Sequence, residues 1–168
     1  MMWRLRRLLR HAFTTPAALR RAFPPDTLER IQQAIAAAEA ATSGEIRFAV
    51  ESSLPWSYLK RNAPARERAL MLFAKLRVWD TEHNNGVLIY VELADHGIEI
   101  VADRGIARRV SAAEWRTIVD AMRERFRRRE FEAGVIAAVA AIGDLLARHF
   151  TPAGGENPDE LSNRPVVL

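Results

Sequence analysis

Apolar residues return every three or four positions along some stretches of this chain and crowd into short β-type runs along others. After the break at Phe23-Pro24-Pro25, Leu28, Ile31, Ile35 and Ala38 share one helical face; Asp26 with Glu29 has the form of a capping box, and Gly44 ends the helix. From Glu45 to Val50 the period drops to two, with Ile46, Phe48 and Val50 alternating against Glu45, Arg47 and Ala49, which predicts a strand with one buried face. Ser52 to Asn62, carrying Pro55, Trp56 and Tyr58, reads as loop. Pro64 then opens a second helix that runs through Leu70, Phe73 and Leu76 to about Val78. Trp79 to Asn85 is polar and irregular. Gly86 to Leu93 and Ile98 to Ala102 are β-rich and joined by Ala94-Asp95-His96-Gly97, so they form a hairpin. Ser111-Ala112-Ala113-Glu114 is a capping box opening a helix with Trp115, Ile118, Met122 and Phe126 at helical spacing, and a last helix runs from about Glu130 to His149.

The order helix, strand, helix, hairpin, helix, helix predicts a layered α/β domain with a small mixed sheet covered by helices. A strand–helix–strand crossover makes the first two strands parallel, and a tight turn makes the third antiparallel to the second. The starts of strands one and two then lie beside the end of strand three. That places Glu45, Asn84, Asn85, Asp103 and Arg104 on one rim, with Asp80 and Glu82 in the loop leading into it. Carboxylates with an amide and loop carbonyls suit calcium or magnesium, so Asp80, Asp103 and Glu45 are the candidate metal ligands, with Asn84 and Asn85 beside them. Arg104 next to such an ion has the planar fork that grips a phosphate oxygen pair. The alternative is structural: Asp80, Asp103 and Arg104 cap helices and pair with one another.

Length and composition narrow the field. The 168 residues, 49% apolar, suffice for one core, and without cysteine there is no disulfide, thiolate metal site or cysteine nucleophile. The net charge of +4 is unevenly spread: residues 1–22 hold six arginines and no acid, leaving 19 basic against 21 acidic residues in the remainder. The body thus lacks the basic character that phosphate-backbone binding needs, which argues against nucleic acid as a partner. The chain divides into a basic amphipathic arm (1–22), an α/β domain (23–150) and a Pro-, Gly- and Asn-rich tail (151–168) expected to be flexible. In the arm, Leu5, Leu8, Leu9, Ala12 and Phe13 share one helical face against Arg4, Arg6, Arg7 and Arg10. It is either an interfacial helix for anionic lipid or a partner, or a leader that packs its apolar face onto the domain. Arginines interrupt it too often for a signal peptide, and no stretch reaches the roughly 18 apolar residues of a membrane span, so a cytoplasmic location is expected, peripheral to the inner membrane if residues 1–13 touch lipid. His11, His83, His96 and His149 form no ligand pair, and no glycine-rich phosphate loop or G-x-S-x-G elbow is present.

Gly44-Glu45-Ile46-Arg47, Asp80 with Asn84-Asn85-Gly86-Val87-Leu88-Ile89-Tyr90, and Glu99-Ile100-Val101-Ala102-Asp103-Arg104-Gly105-Ile106 together resemble the TPM-domain family. The likeness continues through Trp115 and Met122 to Phe131, Gly134 and Val135, and covers about residues 26 to 150. It implies a three-layer α/β/α sandwich. Some members, including plant thylakoid-lumen proteins of photosystem repair, are described as acid phosphatases or calcium-binding domains. Many members carry a secretion signal, an acidic motif before the first helix and a membrane span or glycine-rich tail. Here Phe23-Pro24-Pro25-Asp26 stands at that entrance, so of the entrance ligands only Asp26 has a counterpart.

Two functions follow as expectations. One is an accessory or interaction domain, cation-stabilised, that recognises a membrane-associated protein partner. The other is a divalent-cation-dependent phosphatase in which an ion at Asp80, Asp103 and Glu45 polarises the phosphoryl group and Arg104 clamps its oxygens.

Overall fold

The computed structural model describes residues 2–151 and 159–168. Its centre is a mixed sheet of β1 (Glu45–Glu51), β2 (Gly86–Glu92), β3 (Gly97–Ala102) and β4 (Val166–Val167), in the spatial order β3-β2-β1-β4. β1 and β2 are parallel, Glu45 opposite Gly86, and β2 and β3 are antiparallel, Val87 opposite Ala102. The crossover and the hairpin stand as the sequence predicts. The tail expectation does not: β4 pairs parallel with the outer edge of β1, and Leu161 is buried. Edge pairing with Ala49 and Val50 gives the last residues backbone partners that composition does not reveal. The remainder of the predicted tail, residues 152–158, lies outside the described residues.

Helices cover both faces, giving the α/β/α sandwich. On one face α3 (Pro25–Glu39), α7 (Ala112–Arg127) and α8 (Phe131–His149) bury Ile31, Ile35, Met122, Val139 and Ile142 against Ile46, Phe48, Val50, Ile89 and Val91. Phe23 joins this core, its ring 5.7 Å from Phe48 and 5.8 Å from Phe131. On the other face α5 (Ala65–Lys75) packs Ala69 and Leu72 over Leu88, Tyr90 and Val101. With both faces covered, all seven residues of β1 are buried, so the predicted solvent face carrying Glu45, Arg47 and Ala49 is an interior one, as is Glu51 at the strand's end. Glu51 meets this by accepting two bonds from Arg68 (2.9 and 2.6 Å) and one from the Tyr90 hydroxyl (2.8 Å).

Local corrections have local causes. The capping box at Ser111–Glu114 forms in full, but α3 is opened by Pro24 and Pro25 with no side-chain cap, and Asp26 pairs with Arg30 instead. The expected loop at 52–62 contains a short helix, α4 (Trp56–Lys60), and the arm is two helices, α1 (Met2–Phe13) and α2 (Pro16–Ala22), the second capped by Thr15. α6 (Arg104–Ala107) is a single turn after β3. Among the described residues no helix is long and apolar enough to cross a membrane.

Candidate functional site

The rim assembles where β1 and β2 begin and β3 ends. Two close approaches explain its sequence motifs. A Cβ on Gly86 would overlap the carbonyl oxygen of Val78, and one on Gly105 would lie 2.5 Å from the His83 carbonyl oxygen and collide with that of Asn84. Only glycine permits these contacts. The Gly105 N–H donates to the Asn84 carbonyl (2.8 Å) and the Asp103 N–H to the Gly86 carbonyl (2.9 Å), which ties the end of β3 to the start of β2. Asn84 holds a positive φ of 53° to make this turn.

The predicted residues are engaged in different ways. Asp103 caps α6, accepting from the Arg104 N–H (2.6 Å), while its Oδ2 is buried without a hydrogen-bond partner. Arg104 donates from Nε to Asn84 Oδ1 (3.0 Å). Asn85 is fully buried; its Nδ2 donates to the Ser43 carbonyl (3.0 Å), and its Oδ1 has no partner. Asp80 is half exposed and paired with Arg77 at 2.6 Å. Glu45 turns elsewhere: its carboxylate accepts the N–H groups of Glu160 (3.3 Å) and Leu161 (3.1 Å), held there by the returning chain.

That turn creates the acidic centre of the molecule. Glu39 from the end of α3, Glu45 from the start of β1 and Asp159 bring carboxylate oxygens within 4.8 Å of one another. Glu39 and Glu45 are buried, and Asp159 is exposed at the mouth. Glu39 also accepts the Ile46 N–H (2.7 Å) and a bond from the Asn163 side chain, whose Oδ1 is left buried and unpartnered. Burial pushes the Glu39 carboxyl up to about 8, with Glu45 and Asp159 as like charges adding to the effect. Glu45 is pushed up to about 7, again mainly by burial. The Arg47 guanidinium is drawn by Glu39 and Asp159, yet it is buried with Nε and Nη1 lacking hydrogen-bond partners, and desolvation lowers its pKa. One guanidinium is set against two of the three carboxylates. Hard oxygen donors in this number and spacing suit a divalent cation.

A second acidic group, His11 with Glu92 and Asp95, also converges within 4.8 Å. Its donors are engaged. Glu92 accepts the Ala94 (2.7 Å) and Asp95 (3.0 Å) N–H groups of the hairpin turn, and Asp95 pairs with Arg7 (2.6 Å) and Arg10 (2.9 Å). This group fastens α1 to the domain.

Sequence reasoning reached Glu45 but missed Glu39, Asp159 and Asn163. Glu39 reads as an ordinary residue of a helix end, and the other two sit in a segment whose composition predicts no fixed place. At the far ends of the strands, cavities of about 620 and 790 Å³ share His96, Arg129 and Phe131 in their linings.

Comparison with known proteins fits this architecture. A search of curated proteins finds no match. Among solved structures, the BA42 protein from the psychrophilic bacterium Bizionia argentinensis is similar at 31% identity, with a TM-score of 0.75 over 85% of this chain and 93% of that one. The TPM domain family model matches residues 19–145, most of the chain and nearly all of the sandwich, and the chain belongs to that family.

Proposed function

We propose that this chain is a divalent-cation-binding TPM domain that works as an accessory or interaction module, with the ion held by Glu39, Glu45 and Asp159. The observation that carries this reading is the convergence of those three carboxylates within 4.8 Å of one another. Two of the donors come from the rigid junction of α3 with β1. Asp159 comes from the segment leading to β4, so an ion bridges the sandwich and the returning chain. The ion so placed would fix the outer edge of the sheet, which is where a protein partner would meet it. Calcium is favoured over magnesium by the mixed mono-oxygen donors and the exposed, adjustable Asp159.

Calorimetric titration of the purified chain with calcium and then magnesium tests this. Saturable binding is expected, lost in Glu45→Gln and weakened in Asp159→Asn, and unchanged in Asp80→Asn, whose partner is Arg77. Absence of binding heat at millimolar ion, or loss only in Asp80→Asn, would overturn it.

The divalent-cation-dependent acid phosphatase reading has one supporting observation, the buried unpartnered Oδ2 of Asp103 next to the exposed Arg104. In that reading Asp103 would help hold an ion that would supply Lewis-acid polarisation, and Arg104 would grip the phosphoryl oxygens. Against it stands the engagement of Arg104 with Asn84. Cation-dependent hydrolysis of p-nitrophenyl phosphate, abolished in a folded Arg104→Ala variant, would favour it over the accessory reading.

A further inference from the structure

An amphipathic helix on a water-soluble domain ordinarily turns its apolar stripe inward. α1 does the reverse. Its polar side is fastened to the domain: Arg7 donates from Nη1 to Asn62 Oδ1 (2.7 Å) and from Nη2 to the Ala63 carbonyl (2.7 Å), besides its pair with Asp95. His11, almost wholly buried, accepts the Leu54 N–H at Nδ1 (3.2 Å) and places Nε2 3.0 Å from Asp95 Oδ2. On the opposite side Met2, Leu5, Leu9 and Phe13 fall within an arc of about 80° at 100° per residue. They are 77%, 60%, 46% and 78% exposed. The expectation that the arm packs its apolar face onto the domain is therefore reversed.

We propose that this outward ridge docks onto an anionic lipid surface. The charge around it selects the occupant. Arg4, Arg6, Arg20 and Arg21 are all exposed on α1 and α2, and residues 1–22 contain no acid. A second copy would bring two such arginine-rich arms together and set like charges against each other, whereas phosphate headgroups would neutralise both. Trp3 is exposed on the same helix, and exposed large apolar side chains flanked by arginine match insertion at the headgroup boundary. A helix of twelve residues is marginal alone, so the Arg7–His11–Asp95 latch supplies the order that lipid binding otherwise has to impose. The inference is independent of the cation site.

The test is co-sedimentation of the full chain, in EDTA, with vesicles of phosphatidylcholine alone and of phosphatidylcholine with phosphatidylglycerol. Binding is expected to the anionic vesicles only, and to fall at least about tenfold in Leu5→Ser/Leu9→Ser, since two exposed apolar side chains are removed. Circular dichroism checks that the double variant keeps its fold, and Arg4→Glu/Arg6→Glu is expected to lose the preference for anionic vesicles. Failure of the native chain to bind anionic vesicles, or equal binding by the Leu variant, would overturn the proposal. So would a native dimer in light scattering that the Leu variant abolishes without any vesicle binding, because it would assign the ridge to a second copy.

Discussion

Glu51 is buried at the end of β1 with its charge shared between two donors, and its neighbourhood sets the sharpest single-residue expectation. Arg68 and Glu51 are 12% and 6% exposed, so Arg68→Ala leaves a carboxylate buried without its counter-ion. A loss of about 3 kcal/mol is expected in urea denaturation, whereas Tyr90→Phe, removing one hydroxyl bond to the same carboxylate, should lose about 1 kcal/mol. An Arg68→Ala loss no larger than that of Tyr90→Phe would mean that water reaches Glu51. Gly105→Ala should lose about 1–3 kcal/mol, because the new Cβ meets backbone carbonyls of His83 and Asn84 that no side-chain rotation can move. At this scale the sequence was legible where a residue's role is local. Gly86, Asp103 and Arg104 belong to turns whose signals lie within a few positions. Glu39, Asp159 and Asn163 were not legible, since their partnership spans the whole chain and depends on where residues 159–168 return.

Elements with strong internal periodicity were readable, and short ones stabilised by their surroundings were not. α7 carries a full capping box and a continuous apolar stripe, so its start is fixed by Ser111 and Glu114 themselves. Ser111→Ala should lower stability by about 1 kcal/mol without altering the fold, checked by thermal melting. α4 and β4 have no such internal code: five and two residues cannot form alone, and each exists because the domain offers it a surface. β4 is the consequential case. Leu161 sits 9% exposed in the smaller core, and its N–H together with that of Glu160 holds the Glu45 carboxylate. Leu161→Ala should therefore lose about 2–3 kcal/mol and also weaken calcium binding. A variant that loses stability but binds calcium with native affinity would separate the edge strand from the acidic centre.

For the molecule as a whole, the buried carboxyls give its stability an unusual dependence on pH. Glu39 is raised to about 8, and Glu45 and Glu92 to about 7, in each case chiefly by burial. In the unfolded chain such groups ionise near their ordinary value of about 4.3. Between those limits the folded state holds more protons than the unfolded one, so their contribution to stability is complete below about pH 4 and is lost as pH rises through 7 to 8. Exposed carboxyls lowered by arginine partners, Asp26, Glu67 and Glu132 among them, act in the opposite sense, but water screens them and their influence is confined to acid conditions. In EDTA the melting temperature should therefore decline between about pH 5.5 and 8.5, and Glu92→Gln should flatten part of that decline by replacing an ionisable group with a neutral one. Glu92 lies at the hairpin turn, away from Glu39 and Glu45, so its share is read without disturbing the acidic centre. Calcium added at the upper end of the range should restore what Glu39 and Glu45 lose, since an ion stabilises the carboxylates that burial disfavours. A melting temperature that rises across this interval in EDTA would show that these carboxyls ionise near their ordinary values and are solvated in the folded protein.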